Sequence, residues 1–149
     1  MTSPPPDFAI GPAATGTAGW LPTVVLRHAW GLNSHHDWLL ADPAAPQGKL
    51  WAGRVDPPPR TWRGVGWWLI EQLPPHRRVY LRYQGPIGPP AEQPAAGGRG
   101  RVWRVDEGHY RPLLWGEHRR VLEIVLNHFT GRVELCRLDP GRWRAAVLM

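Results

Sequence analysis

Polar and apolar residues alternate along most of this chain with a period of two, in short runs separated by Pro, Gly, Asn and Asp. That pattern predicts strands rather than helices. Residues 20–30 read as a first strand and residues 37–41 as a second, with a turn at residues 42–48. A third at residues 49–55 is stopped by Asp56 and Pro57-Pro58-Pro59. Residues 60–73 are ambiguous: Trp62, Val65, Trp68 and Leu69 have partial helical spacing, but Gly64 and Gly66 weaken a helix. Pro74-Pro75 is expected to end that segment, and the alternation of residues 76–83 predicts a strand from Arg78 onward. Residues 85–100 form a long Pro/Gly loop, of a length that is usually functional or disordered. Beyond it, strands are expected at residues 101–106 and 109–114 (joined at Glu107-Gly108), 121–128, 132–138 after a Thr130-Gly131 turn, and 142–148.

About eight short strands at regular spacing, with little helix, predict an all-β protein: a compact antiparallel β-barrel. Residues 1–19, rich in Pro, Ala, Gly and Thr, read as a flexible tail, and residues 20–149 as one barrel domain.

Composition narrows the picture. No apolar run has the length of a membrane helix, no signal peptide is visible, and Cys136 is the single cysteine, so the expectation is a soluble cytoplasmic monomer without disulfides. Of the 18 basic residues all but Lys49 are arginine, and the net charge is +6. Guanidinium groups fork onto phosphate oxygens, so this charge suits an anionic partner. No Gly-rich phosphate loop with its Lys-Ser/Thr is present, which argues against nucleotide hydrolysis.

The candidate chemistry sits in the first two strands. Val24, Leu26 and His28 share one face; His35 and Asp37 share one face of the next segment, while His36 and Trp38 point the other way. If the two segments pair antiparallel, His28 meets His35 and Asp37. Two imidazoles and a carboxylate leave coordination positions open, as a catalytic divalent-metal site does. His36 replaces His35 if the register slips by one.

In order along the chain, Leu26-Arg27-His28, then His35-His36-Asp37-Trp38-Leu39-Leu40, then Leu50-Trp51-Ala52-Gly53-Arg54-Val55 resemble successive motifs of the 3′-phosphoesterase domain of bacterial DNA ligase D. The resemblance continues through His76 to Gly85, Val105-Asp106-Glu107-Gly108-His109-Tyr110 and the ending at residues 126–138. It implies a β-barrel that uses a divalent metal, typically manganese, to trim 3′ ends of nucleic acid in DNA end repair, removing a terminal ribonucleoside and then the 3′-phosphate. Carried over by position, it implies His28, His35 and Asp37 as metal ligands, and His76 and Tyr80 as catalytic groups on the scissile phosphate. His76 would donate the proton to the leaving oxygen. Arg27, Arg78 and Arg82 are the candidate phosphate- or nucleic-acid-binding side chains. The implied partners are DNA or RNA–DNA 3′ ends, with a ligase or polymerase of end joining acting alongside.

The chain departs from the family pattern at Leu39, where the family has arginine, at Pro74, where it has glutamate, and at Gln84; residues 1–19 show no counterpart of the family's N-terminal segment. Two alternatives follow from the same residues: a catalytically decayed barrel that binds nucleic-acid ends, and a small oxygenase built on His35-x-Asp37 with a distal histidine. His109, His118 and His128 read as rim or strand residues, since nothing pairs them at ligand spacing.

Overall fold

The computed structural model describes residues 19–87 and 100–148. The expected tail at residues 1–18 and most of the expected Pro/Gly loop, residues 88–99, lie outside the described residues. Among the described residues nine strands run in chain order: β1 (Leu21–Trp30), β2 (Asn33–Asp42), β3 (Ala45–Val55), β4 (Trp67–His76), β5 (Gly85–Pro86), β6 (Arg101–Trp115), β7 (Arg119–Leu126), β8 (Thr130–Asp139) and β9 (Arg142–Leu148). All pairings are antiparallel. The order β1-β2-β3-β4-β9-β8-β7-β6 closes on itself because β1 also pairs with β6. The chain is therefore all-β and antiparallel, as the alternation predicts, with eight strands in a ring. β5 adds to the edge of β6 that β7 leaves open, since β6 pairs with β1 along its other edge.

The ring interior is filled by aromatic rings. Trp38 packs on Trp62 (ring centroids 4.9 Å apart), Trp51 (6.5 Å) and Trp68 (6.5 Å), and Trp51 meets Trp143 at 6.3 Å. Trp62 comes from α1 (Pro59–Val65), which resolves the ambiguous segment as a short helix followed by a strand. Pro59 suits the first turn, where its missing N–H costs nothing. Gly66 then stops the helix in the left-handed region (φ 80°), donating its N–H to the Trp62 carbonyl at 2.9 Å. No helix among the described residues is long and apolar enough to cross a membrane.

The opposite face of β1–β3 would meet solvent in a bare ring, yet Leu26, Leu39, Leu50 and Ala52 on that face are fully buried. The chain after β4 folds back over it. A single 3₁₀ turn (Arg78–Leu81) packs on β1 and β3, and Leu73, Tyr80, Leu81, Tyr83 and Ile87 come down onto the core. Among the described residues nothing folds over β4 and β7 in this way, and Leu69 and Val125 are half-exposed there.

This cover corrects the expected strand from Arg78 onward. Beyond Glu71, β4 has lost β9 as a neighbour, and Tyr80 and Tyr83 donate back to the carbonyls of Arg77 and Val79 instead of to a sheet. Nor does Pro74-Pro75 end its segment, because both residues lie inside β4. Glu107-Gly108 is not a turn either: β6 runs through it. A Cβ on Gly108 would lie 1.9 Å from the Val125 carbonyl oxygen, so glycine lets β7 approach that closely. Thr130-Gly131 belongs to β8, and the true turn before it is held by buried Asp106, whose carboxylate accepts the N–H groups of Asn127 and His128.

Candidate metal centre and its cavity

The β1–β2 hairpin sets the register that brings the first three side chains together. His28 lies opposite His35 and Leu26 opposite Asp37, so His28, His35 and Asp37 share the face that the back-folded segment covers. Their ligand atoms all lie within 4.8 Å of one another. His35 Nδ1 is 2.6 Å from Asp37 Oδ1, and His28 Nδ1 is 3.9 Å from Asp37 Oδ2. Trp30 fixes both rings from behind, with centroids 4.8 Å from His28 and 5.1 Å from His35.

His36 turns the other way and donates from Nδ1 to the Asp56 carbonyl at 2.8 Å. The register thus puts His35, not His36, beside Asp37.

The fourth member comes from β4 by way of an irregularity. Ala52 pairs with Leu73 but Leu50 pairs with His76, so β4 carries one extra residue at Pro74-Pro75. Two prolines supply no N–H to a ladder, which is where a bulge costs least. An extra residue inverts the alternation, so His76 faces Asp37 instead of the ring interior. His76 Nδ1 donates to the Pro74 carbonyl at 2.9 Å, which leaves Nε2 aimed at Asp37 Oδ2, 3.6 Å away.

Asp37 is the electrostatic centre, with a side chain 3 % exposed. Burial alone would push its carboxyl up, but the His35 and His76 imidazoles outweigh burial and hold it below the usual carboxylate range. Burial likewise works to lower His76, and the Asp37 carboxylate and Pro74 carbonyl outweigh it, so its imidazole stays protonated to higher pH than usual.

These residues fit a metal ion. His35 Nδ1 and Asp37 Oδ1 are both buried and neither has an aligned hydrogen-bond partner, although they lie 2.6 Å apart. A cation held by both atoms would satisfy the imidazole nitrogen and the carboxylate oxygen together. Two nitrogens and a carboxylate oxygen suit a borderline divalent ion, and His28, His35 and Asp37 could hold one.

The group opens into a cavity of about 410 Å³ lined by His28, Asp37, His76, Arg77 and Tyr80, with Leu26 and Val102 at its apolar base. Tyr80 stands across from the cluster, its ring 5.9 Å from His76, with the Arg77 guanidinium 5.9 Å from the Tyr80 ring.

The three candidate phosphate-binding arginines are distributed differently. Arg27 lies on the opposite face of β1 from His28, where it donates to Ser34 Oγ at 3.0 Å and covers Trp103. Arg78 and Arg82 line a second, larger cavity of about 1270 Å³ on the far side of the 3₁₀ turn, together with Arg104 and Asn127. The arginine beside the histidines is Arg77. Its sequence context gives no hint of this, because only the turn geometry decides which of two adjacent arginines points to which side. Trp30 and Arg104 also carry no sequence signal that would single them out. His109, His118 and His128 lie outside the group; His128 Nδ1 is 3.2 Å from Asp106.

The sequence matches no protein-family model and no curated protein.

Proposed function

We propose that this protein is a metal-dependent phosphoesterase acting on the 3′ ends of nucleic acid, with a divalent ion, manganese in first place, held by His28, His35 and Asp37. The observation that carries this reading is the grouping of those three ligand atoms within 4.8 Å of one another, with His76 beside Asp37 and Tyr80 lining the same cavity. A bound divalent ion would supply Lewis-acid charge beside a phosphoryl oxygen.

The chain's own groups do the rest. His76 keeps one proton on Nδ1, committed to the Pro74 carbonyl; its labile proton is therefore on Nε2, inside the cavity. That proton goes to the leaving sugar oxygen as its bond to phosphorus breaks (the 5′ oxygen of a released ribonucleoside, the 3′ oxygen when phosphate is removed), while water supplies the oxygen that enters phosphate. Against the effect of burial, the Asp37 carboxylate holds the His76 imidazole protonated to higher pH than usual. The Tyr80 hydroxyl and the Arg77 guanidinium are the donors available to the equatorial phosphoryl oxygens. Leu26 and Val102 keep the base of the site apolar, which strengthens each of these interactions.

The polymer side of the reading is supported by the Arg78, Arg82 and Arg104 cavity. Arg82→Ala is expected to weaken binding of a labelled duplex oligonucleotide at every sequence and to lower the slope of log K against log salt by about one. An unchanged slope would remove this cavity from the nucleic-acid path.

The direct test is a primer-template ending in a 3′-ribonucleotide or a 3′-phosphate, incubated with manganese. Trimming by the wild type, lost in His28→Ala and His35→Ala and lowered about 10²- to 10⁴-fold in His76→Gln, is the expected outcome. A binding protein without turnover is the second reading, favoured by Leu39: it is fully buried two residues beyond Asp37 on the same face, so an apolar side chain lies beneath the cluster. End binding without product in the same assay selects it.

A further inference from the structure

A third cavity, of about 290 Å³, adjoins the metal centre and is lined by Arg77, Val79, Tyr80, Tyr83 and Pro86. It shares Arg77 and Tyr80 with the site cavity, so the two spaces meet at those two side chains. Its size is at the lower end of small-molecule pockets. Tyr83 and Tyr80 meet nearly at right angles, 86° with centroids 5.9 Å apart, and form a corner with one ring as floor and the other as wall. The Tyr83 hydroxyl donates to the Pro86 carbonyl, which fixes the ring and uses its one donor. Gly85 lies beneath at φ 134°, and a Cβ there would come within 3.2 Å of that hydroxyl. Aromatic faces, a proline and a valine line this space, with Arg77 as the one charged side chain; no carboxamide or carboxylate among them is placed to read a base edge.

We propose that this corner seats the nucleobase of the nucleotide that carries the 3′-phosphate, by stacking on Tyr83 and without sequence preference. The inference rests on the phosphoesterase reading, because it places the phosphate in the adjoining site cavity. A nucleobase is separated from its own 3′-phosphate by one sugar, and the two cavities are neighbours that share Tyr80 and Arg77. Base–aromatic stacking tolerates every base because every base has a π face, and Arg77 at the boundary is placed to neutralise phosphate charge.

The test compares 3′-phosphate substrates that have a normal base or an abasic sugar analogue at the terminal nucleotide. On the wild type with manganese, the abasic substrate is expected to raise KM by about 5- to 100-fold, with kcat changed by less than about twofold. Tyr83→Ala should raise KM for the normal substrate by the same factor and leave the abasic KM where it was; Tyr83→Trp should restore the difference. Equal KM values for the two substrates on the wild type overturn the proposal, as does a Tyr83→Ala effect of equal size on both, which would mark a structural role. If the wild type trims neither substrate, the phosphoesterase reading fails. The stacking proposal is then decided by 2-aminopurine fluorescence at the terminal position. Quenching by the wild type and not by Tyr83→Ala supports stacking; equal or absent quenching overturns it.

Discussion

Asp37→Asn is expected to abolish manganese binding and to lower metal-dependent trimming by at least about a thousandfold, the several kcal/mol a Lewis-acid ion contributes to phosphoryl transfer. The substitution preserves shape and one oxygen but removes the only negative charge among four clustered side chains. Manganese favours carboxylate oxygen, so the His28 and His35 imidazoles do not compensate for its loss. The effect can be read without turnover. At a metal concentration about 100 times its dissociation constant, binding stabilises the wild type by about 2.7 kcal/mol, or a rise in Tm of about 5–10 °C for a chain of this size. Asp37→Asn should show no rise at the same concentration, while its far-ultraviolet circular dichroism stays that of the wild type. An equal rise in both proteins would place the ion elsewhere; no rise in the wild type at millimolar manganese would remove the metal centre altogether.

Trp62→Ala is expected to cost about 3–5 kcal/mol of folding stability, a large part of what a domain of this size has. Trp62 is fully buried at the mouth of the ring, stacked on Trp68 (4.5 Å, 19°) and edge-on to Phe129 at 5.4 Å. Truncation leaves a cavity among tryptophans that are held by their own strands and cannot collapse into it. It also strips the Pro57 carbonyl of the indole N–H that reaches it at 2.9 Å. Urea unfolding should show a lower midpoint at nearly unchanged slope. Because Trp38 faces the interior and Asp37 the opposite side of β2, manganese binding at low temperature should survive. A midpoint shift below about 1 kcal/mol would mean that α1 is an appendage and not the plug of the ring.

The local part of the site was legible because a hairpin is a local object. Side-chain alternation in a strand is fixed by backbone geometry, and β1 and β2 are joined by only Gly31 and Leu32, with Gly31 at φ 53°. Which of His35 and His36 meets His28 then follows from register, and the face shared by His28, His35 and Asp37 follows from counting in twos. The number of strands is of the same kind, since each strand is read from its own alternation. At residues 78–83 the alternation misleads: Val79 is half-exposed, while Tyr80, on the opposite face of the expected strand, is partly buried against the core.

Sequence by itself thus determined the strands, the basic surface charge and the first three side chains of the centre, since each depends on near neighbours or on composition. Only the tertiary structure decided that His76 joins them. That requires a bulge at Pro74-Pro75, and a bulge is defined by what two strands distant in sequence do opposite each other. The same holds for Arg77 standing at the centre while Arg78 and Arg82 serve another cavity, and for Tyr80 and Tyr83 forming a corner. These placements come from a segment folded over an otherwise bare apolar face, driven by burial of Leu26, Leu39 and Leu50, which no local pattern of residues 76–87 encodes.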